Sequence, residues 1–218
     1  MLPHHVITSV AVLTIDSGHT LDRPSPVPIG AGIFTGRITE GAVAFDLDLC
    51  ILAPSERPSH LLHWLDARLY DGDATVTGYD LATSAAVLAA MPDTDWSPAL
   101  RILSNCGHHP LLDTAVTGPD RRIVPFANVA LTAGIPCAEP DPDRAFSAWM
   151  LDRRAVLAGC LETDVIACWR LAMQRIGARS ALGRSASAAI DMHLADWLRR
   201  RTSPASALHL DSLASTLG

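Results

Sequence analysis

The sequence predicts an α/β fold in which helices flank a mixed sheet. Three apolar, β-branched runs follow one another near the N-terminus, and short connections join them. Strand-like and helix-like segments then alternate, and the last third of the chain has a helical pattern. Short connections favour an antiparallel meander, whereas alternation of strand and helix favours parallel strands. We therefore expect three antiparallel strands followed by parallel ones.

The first three strands are predicted from hydrophobic pattern. Residues 6–15, VITSVAVLTI, form a nearly continuous apolar run, which is typical of a strand buried on both faces. This run ends abruptly at Asp16. The next two strands are predicted over residues 29–35 and 41–52, and the second of these alternates in part between apolar and polar residues.

The middle of the chain alternates between helix and strand signals. A helix capped by Ser55 or Ser59 is predicted first, with Leu residues on one face. A strand at 74–78 follows, and then a second helix that Pro92 stops. The short apolar run ALRIL, at 99–103, is predicted as a further strand.

The second half is predicted to be mostly helical. Residues 104–122 are too rich in turn-forming residues for an assignment. Four helices are predicted beyond them: a short one stopped by Gly134, one capped by Asp141 or Asp143, a long one from Arg153 to Ile176, and an amphipathic one before Pro204. We expect a single domain over residues 1–202 and a loosely held C-terminal tail over 203–218.

Composition argues against several classes of function. The net charge of −6 argues against a protein that coats nucleic acid non-specifically. The apolar runs are too short to span a bilayer, and the N-terminus lacks the pattern of a signal peptide. The five scattered cysteines indicate neither a disulfide framework nor a zinc knuckle. We expect a cytoplasmic protein without a membrane span, and base rates favour a homodimer.

Two carboxylates occupy positions where burial is costly. Asp164 falls in the middle of the apolar stripe of the long predicted helix, and Asp16 ends a buried strand. Ligands of open α/β sheets bind at the ends of such strands. Each residue also has a structural interpretation, which is a salt bridge with an arginine for Asp164 and an Asx-turn for Asp16.

The segment around Asp164 carries a resemblance to a known family. The stretch that begins GIPCAEP and continues through CLETDV resembles the third motif of predicted 3′-to-5′ exonucleases related to the family B DNA polymerase proofreading domain. These are DEDD exonucleases with the ribonuclease H-like fold. Glu162, Asp164 and Val165 match the motif, while Cys160 stands at its tyrosine position. The likeness spans about residues 6–180.

The first two motifs of this family are matched less well. In the family, an apolar strand ends in Asp-x-Glu, and here Asp16 matches while Gly18 stands in place of the glutamate. In the second motif, Asp80 takes the place of an asparagine, and Thr83 and Ser84 take the place of a Phe-Asp pair.

The resemblance implies a two-metal hydrolase whose site is incomplete. Family members hold two divalent ions with four carboxylates, and the ions activate water and stabilise the leaving oxygen. Residue by residue, only Asp16 and Asp164 carry over as metal ligands. Two carboxylates would hold one Mg²⁺ or Mn²⁺ ion, or none. Cys160 would replace the tyrosine that orients the attacking water, although a thiol is a weak hydrogen-bond donor.

Other residues could complete or replace parts of this site. Asp80 could act as a substitute ligand, and His19 could favour a transition metal, although loop or helix-cap roles are open for both. Arg170 and Arg175 could bind the phosphates of single-stranded DNA or RNA ends, or simply lie on a solvated helix face. Three functions stay open: an exonuclease with impaired or altered chemistry, a non-catalytic protein that binds nucleic-acid ends, and an assembly module.

Overall fold

The protein is built around one five-stranded sheet. The structure is a computed structural model, and it describes residues 5–16, 25–69, 74–92, 94, 97–106 and 109–217. The strands are β1 (His5–Asp16), β2 (Pro26–Thr39), β3 (Ala42–Ile51), β4 (Ala74–Gly78) and β5 (Leu111–Asp113). The first four confirm the predicted strands, whereas β5 lies in the turn-rich segment that had no assignment.

Eight helices occur among the described residues. They are α1 (Ser59–Arg68), α2 (Leu81–Ala89), α3 (Pro98–Leu103), α4 (Phe126–Thr132), α5 (Pro142–Met150), α6 (Arg154–Gly177), α7 (Ala181–Arg199) and α8 (Pro204–Leu217). No helix in this described part of the chain is both long and apolar enough to cross a membrane.

The sheet is mixed, as the sequence predicts. Its strand order is β3-β2-β1-β4-β5. Strands β1, β2 and β3 form an antiparallel meander, while β4 pairs in parallel with β1 on one side and with β5 on the other. The carboxyl ends of β4 and β5 therefore lie at the same edge of the sheet.

Helices cover both faces of the sheet. On one face, α1, α2 and α3 pack against β1, β2 and β4 through a cluster that includes Val10, Val76 and Leu88. On the other face, α6, α7 and α8 enclose a second cluster, which includes Phe34, Trp169 and Leu194. Helix α6 contacts four of the five strands and three other helices, so it is the central element of this face.

The run at 99–103 is helical, so its prediction as a strand is wrong. Ser97 caps α3 by accepting a hydrogen bond from the Leu100 amide at 3.2 Å, and Pro98 occupies the first turn. The Asp66 carboxylate accepts hydrogen bonds from the Ser97 hydroxyl at 2.6 Å and from the Ala99 amide at 2.9 Å. A short apolar run does not distinguish strand from helix, and these caps favour the helix.

The predicted helix ends are confirmed in part. Asp141 caps α5 by accepting from the Arg144 amide at 2.9 Å, and Gly134 adopts a positive φ of 67° after α4. A serine cap on α1 is wrong, because Pro58 holds the cap position and no side chain bonds to the helix end.

Residues 204–217 form a docked helix instead of the expected loose tail. Ser203 caps α8 by accepting from the Ser206 amide at 3.1 Å, and Pro204 begins the helix. Four side chains of α8 are at most 1% exposed: Ala205, Ser206, His209 and Leu213. The C-terminal segment is thus an integral part of the helical layer.

Candidate functional site

Asp164 lies in a largely enclosed recess on α6. Its carboxylate accepts a hydrogen bond from the Ala138 amide at 2.8 Å, so the segment that follows Gly134 holds it in place. Burial raises the pKa of Asp164 from 3.8 to about 7, and the hydrogen bond from Ala138 opposes that rise. A substantial share of this carboxyl group is therefore protonated at neutral pH.

Three cysteines surround this carboxyl group. Cys160 and Cys168 lie one helical turn before and after Asp164 on α6, and Cys137 precedes Ala138. Burial, followed by the charge of Asp164, raises the pKa of each thiol. The thiols are therefore protonated at neutral pH. Cys160, at the tyrosine position of the family motif, is half-buried beside Asp164 and has no activated thiolate.

The face of β1 that contacts α6 carries no carboxylate. The buried Ser9 hydroxyl donates to the Val165 carbonyl at 2.8 Å, and Ile7 and Ala11 pack into the cluster that contains Val165. Val10 packs into the cluster on the opposite face. Side chains alternate along a strand, so the odd-numbered residues of β1 face α6. The β1 residues nearest the turn that bears Asp164 are therefore serine and alanine.

Asp16 and Asp164 have different hydrogen-bond partners. Asp16 falls on the opposite face of β1 by alternation, and its carboxylate accepts from the Ser25 amide at 2.9 Å. Its neighbour Ile15 packs with Leu157, seven residues before Asp164 and thus roughly 10 Å away along the helix axis. This arrangement does not support the expectation that the two aspartates share one metal.

Asp80 caps a helix. It sits before α2 with a φ of 51°, and its carboxylate accepts from the Thr83 amide at 3.3 Å. Asp113, which the sequence did not single out, accepts hydrogen bonds near 3.0 Å from the amides of Asp80, Leu81 and Ala115. These carboxylates organise the carboxyl edge of β4 and β5. His19 and Gly18 lie outside the described residues.

A pocket of about 320 Å³ opens beside this edge. Tyr79 and Phe126 line it, with ring centroids 5.2 Å apart, and Ser84 and Ile123 complete its walls. The Tyr79 hydroxyl donates to the Val124 carbonyl, which fixes the ring. Arg175 is close enough to oppose the rise in the pKa of Tyr79 that burial causes. The pocket thus combines two aromatic rings with the nearby guanidinium of Arg175 and the carboxylates of Asp80 and Asp113.

Arg170 lies inside the protein, so it is unsuited to the phosphate contact expected of it. Its side chain is 3% exposed, and its guanidinium donates to Ser212 at 3.2 Å and lies 3.1 Å from Nδ1 of His209. Burial lowers the pKa of Arg170 to about 10, which leaves it charged at neutral pH. It joins α6 to α8.

Glu162 is also buried and faces α8. Its carboxylate accepts from the Ser203 hydroxyl at 2.7 Å and lies 3.6 Å from the guanidinium of Arg201. It therefore occupies the positive end of α8, where a carboxylate is stabilised. Of the two acidic residues that match the third motif, only Asp164 faces the recess.

The described side chains do not assemble a metal site. Within the ranges that the structure covers, no group of three or more His, Cys, Asp or Glu residues could hold an ion. Asp164 contributes a single carboxylate group, and its neighbours are protonated thiols. Mg²⁺ and Mn²⁺ prefer several oxygen ligands, so this donor set fits neither ion well.

Replacing Asp164 with asparagine is expected to stabilise the protein in a pH-dependent way. The folded-state pKa is raised above the unfolded value, so the wild-type protein loses stability as the pH rises from about 4 to 7. Asparagine keeps an acceptor for the Ala138 amide without a charge. Urea unfolding should show that the variant's gain in the free energy of unfolding is larger at pH 8 than at pH 5 by roughly 2 kcal/mol.

The exposed residue Asp211 provides the matched control. Asp211→Asn should change the free energy of unfolding by less than about 0.5 kcal/mol at both pH values. An equal effect of Asp164→Asn at pH 5 and pH 8 would show that the Asp164 carboxyl is solvated.

Comparisons of the chain with protein-family models, with curated proteins and with solved structures give no match.

Proposed function

We propose that this protein is a non-hydrolytic relative of the DEDD exonucleases that binds single-stranded nucleic-acid ends. The strand order β3-β2-β1-β4-β5, with an antiparallel meander followed by parallel strands, is the one expected of the ribonuclease H-like fold. The motif that surrounds Asp164 supports the same relationship. Fold does not fix function, so the proposal depends on the site.

The proposed loss of hydrolysis rests on the residues of β1 that lie beside Asp164. Ser9 and Ala11 occupy the positions that face α6 there, and neither can hold a cation as a carboxylate does. Asp16 lies on the opposite face, and Asp80 caps α2. Phosphodiester hydrolysis by two metals requires a cluster of oxygen ligands, and Asp164 alone does not form one.

The pocket at the carboxyl edge of β4 supports binding. Sequence-tolerant proteins bind single strands by stacking bases on aromatic rings beside a positive groove. Tyr79 and Phe126 offer such rings, and Arg175 lies close to Tyr79. Arg121 and Arg122 are exposed beside Ile123 at the rim of the pocket. A 3′-terminal base would stack on these rings, with its phosphate toward the arginines and away from Asp80, which also lines the pocket.

The test measures binding and cleavage together. Labelled single-stranded DNA and RNA oligonucleotides of 12 residues are titrated with protein in Mg²⁺, Mn²⁺ or EDTA. We expect salt-dependent binding that EDTA does not abolish, with no release of nucleotides. Release that Asp164→Ala eliminates would overturn the loss of hydrolysis, and absence of binding at about 50 mM salt would overturn the binding function.

Two variants locate the bound strand. Phe126→Ala should weaken binding about tenfold or more, because a stacked base contributes roughly 1–3 kcal/mol. Arg175→Ala should weaken binding and reduce its salt dependence. Phe146, which is 39% exposed on α5, provides the matched control. Phe146→Ala should leave the affinity unchanged. Equal losses of affinity in the two phenylalanine variants would exclude the pocket as the binding site.

A further inference from the structure

Helix α8 is attached to α6 through polar groups as well as apolar ones. At the interface, α6 contributes Glu162, Arg170 and the Thr163 carbonyl, and α8 contributes Ser206, His209 and Ser212. Ala205 and Leu213 add two fully buried apolar side chains, and Leu210 packs against the same cluster as Leu213. A polar interface holds only while each donor faces an acceptor, so the protonation state of its members decides whether the helix stays docked.

His209 is at the centre of this interface. Its side chain is fully buried, its Nε2 lies 2.9 Å from the Thr163 carbonyl, and its Nδ1 lies 3.1 Å from Nη1 of Arg170. A carbonyl can only accept, so Nε2 carries the proton. A guanidinium can only donate, so Nδ1 must be the bare acceptor. The geometry therefore requires the neutral ring in this single tautomer.

A second proton on this ring has no acceptor. It would point at the guanidinium of Arg170, and two positive charges would face each other in a buried space. The pKa of His209 is accordingly lowered to about 4, first by burial and then by the charge of Arg170, while the bond to Thr163 opposes the shift. Once α8 leaves α6, the ring returns to its ordinary value near 6.5.

Three carboxyl groups belong to the helices that pack around the ring. Asp191 of α7 interacts with Arg170, and burial raises the pKa of this carboxyl while Arg170 opposes the rise. Glu162 of α6 bonds to Ser203 and Ser206 one turn away. Asp211 of α8 is exposed. Asp191 is thus the one other group of this set whose protonation would alter the charge balance at Arg170.

The interface of α8 continues to the recess of Asp164. The Ser212 hydroxyl, which accepts from Arg170, donates to the Gly134 carbonyl at 2.7 Å. Gly134 begins the short segment that ends at Ala138, whose amide bonds to Asp164. Departure of α8 would remove the Ser212 contact at the first residue of this segment, although the backbone hydrogen bonds of Gly134 and Ile135 to α4 would stay.

We propose that α8 is a pH-sensitive latch, which is closed on α6 while His209 is neutral and opens when that ring takes up a second proton, withdrawing the Ser212 contact from the segment that positions Asp164. The latch itself depends only on the contacts above. Its effect on ligand binding rests on the proposed function, because it presumes that the recess and the adjoining pocket form the binding site.

Hydrogen exchange of the full-length protein tests the latch. Amide protection of residues 204–217 is measured from pH 6.5 to 4.5, with correction for intrinsic exchange. One proton taken up on opening should increase the open fraction by about tenfold per pH unit. His209→Gln keeps one acceptor and one donor but does not titrate in this range, so its protection should not vary with pH. Equal slopes in the wild-type protein and this variant would overturn the latch.

Control variants separate His209 from its neighbours. His193→Gln, at an exposed position of α7, should retain the wild-type slope, and so should Asp191→Asn. Loss of the slope in Asp191→Asn would assign the switch to the carboxyl group and overturn the role of His209. Ser212→Ala should speed exchange at the Ala138 amide at neutral pH, and an unchanged rate would overturn the link to Asp164.

Oligonucleotide binding at pH 7 and pH 5 distinguishes failure of the latch from failure of the proposed function. Affinity should fall on acidification in the wild-type protein and change less in His209→Gln. A pH-dependent α8 in a protein that binds no oligonucleotide would sustain the latch and refute the binding function. Oligonucleotide binding without pH-dependent exchange in α8 would refute the latch and sustain the binding function.

Discussion

Replacing Trp169 with alanine should lower the free energy of unfolding by about 4 kcal/mol. The indole is fully buried between the sheet and α7, and it makes edge-to-face contacts with Phe34 and Phe45 at centroid distances of 5.5 and 5.3 Å. It fits against Gly36, where a Cβ atom would lie 2.7 Å from the ring. Truncation would remove these contacts and leave a cavity that the rigid sheet cannot fill.

The measurement is urea unfolding of the variant, with Trp64→Ala as the matched control. Trp64 is half-buried on α1, and the guanidinium of Arg68 lies 4.5 Å from its ring centroid. Its removal should cost about 1 kcal/mol. Similar losses in the two variants would contradict the central position that the structure gives to Trp169.

Arg170→Ala should cost about 3 kcal/mol of stability, although arginines are mostly surface residues. The variant removes a buried guanidinium that donates to Ser212 and His209, and it leaves their acceptors without donors. Asp191 would also lose the nearby positive charge that favours its ionised form. The loss arises chiefly from the polar groups that stay buried and unpaired.

Arg175→Ala is the informative comparison for this variant. Arg175 lies near the end of α6 and is half-exposed beside Tyr79, so its removal should change stability by less than about 0.5 kcal/mol. Thermal unfolding of both variants, combined with the oligonucleotide titrations, should show that Arg170 affects stability and Arg175 affects binding. A stable Arg170→Ala protein would indicate that α8 does not depend on this contact.

The sheet could be predicted because its first four strands combine strong apolar patterns with short connections. The short elements were harder. In β5, three residues pair with β4 in a segment whose composition is that of a loop. In α3, a run of apolar residues has the length of a strand, and its helical state follows from Ser97, Pro98 and a carboxylate 31 residues earlier. Such long-range caps are not visible in a local pattern.

The site could be predicted only in part. Asp164 was identified because a carboxylate interrupts an apolar helical stripe, and its raised pKa follows from that burial. The face on which Asp16 lies depends on strand register, which a one-residue shift reverses. Alternation along residues 6–15 is hidden by apolar residues on both faces. Ser9, which bonds to Val165, therefore gave no signal of its own.

Helix α8 is difficult to predict because its buried face is only partly apolar. The side chains that contact α6 include Ser206, His209 and Ser212, so a search for hydrophobic periodicity finds little in this segment. A local signal was present in Ser203 followed by Pro204, which is typical of a helix start. Glu162 and Arg170 of α6 contact α8. Because both are charged, the sequence pattern predicts surface positions for them.

The contact between Ser9 and Val165 has a consequence for synthesis of the chain. It joins residues 156 positions apart, so β1 buries its inner face only after α6 has been made. Long-range contacts of this kind slow folding, because the chain must close a large loop before they form. Until α6 has been made, the meander lacks the helix that covers Ile7, Phe34 and Phe45, and exposed apolar surface of this kind favours aggregation.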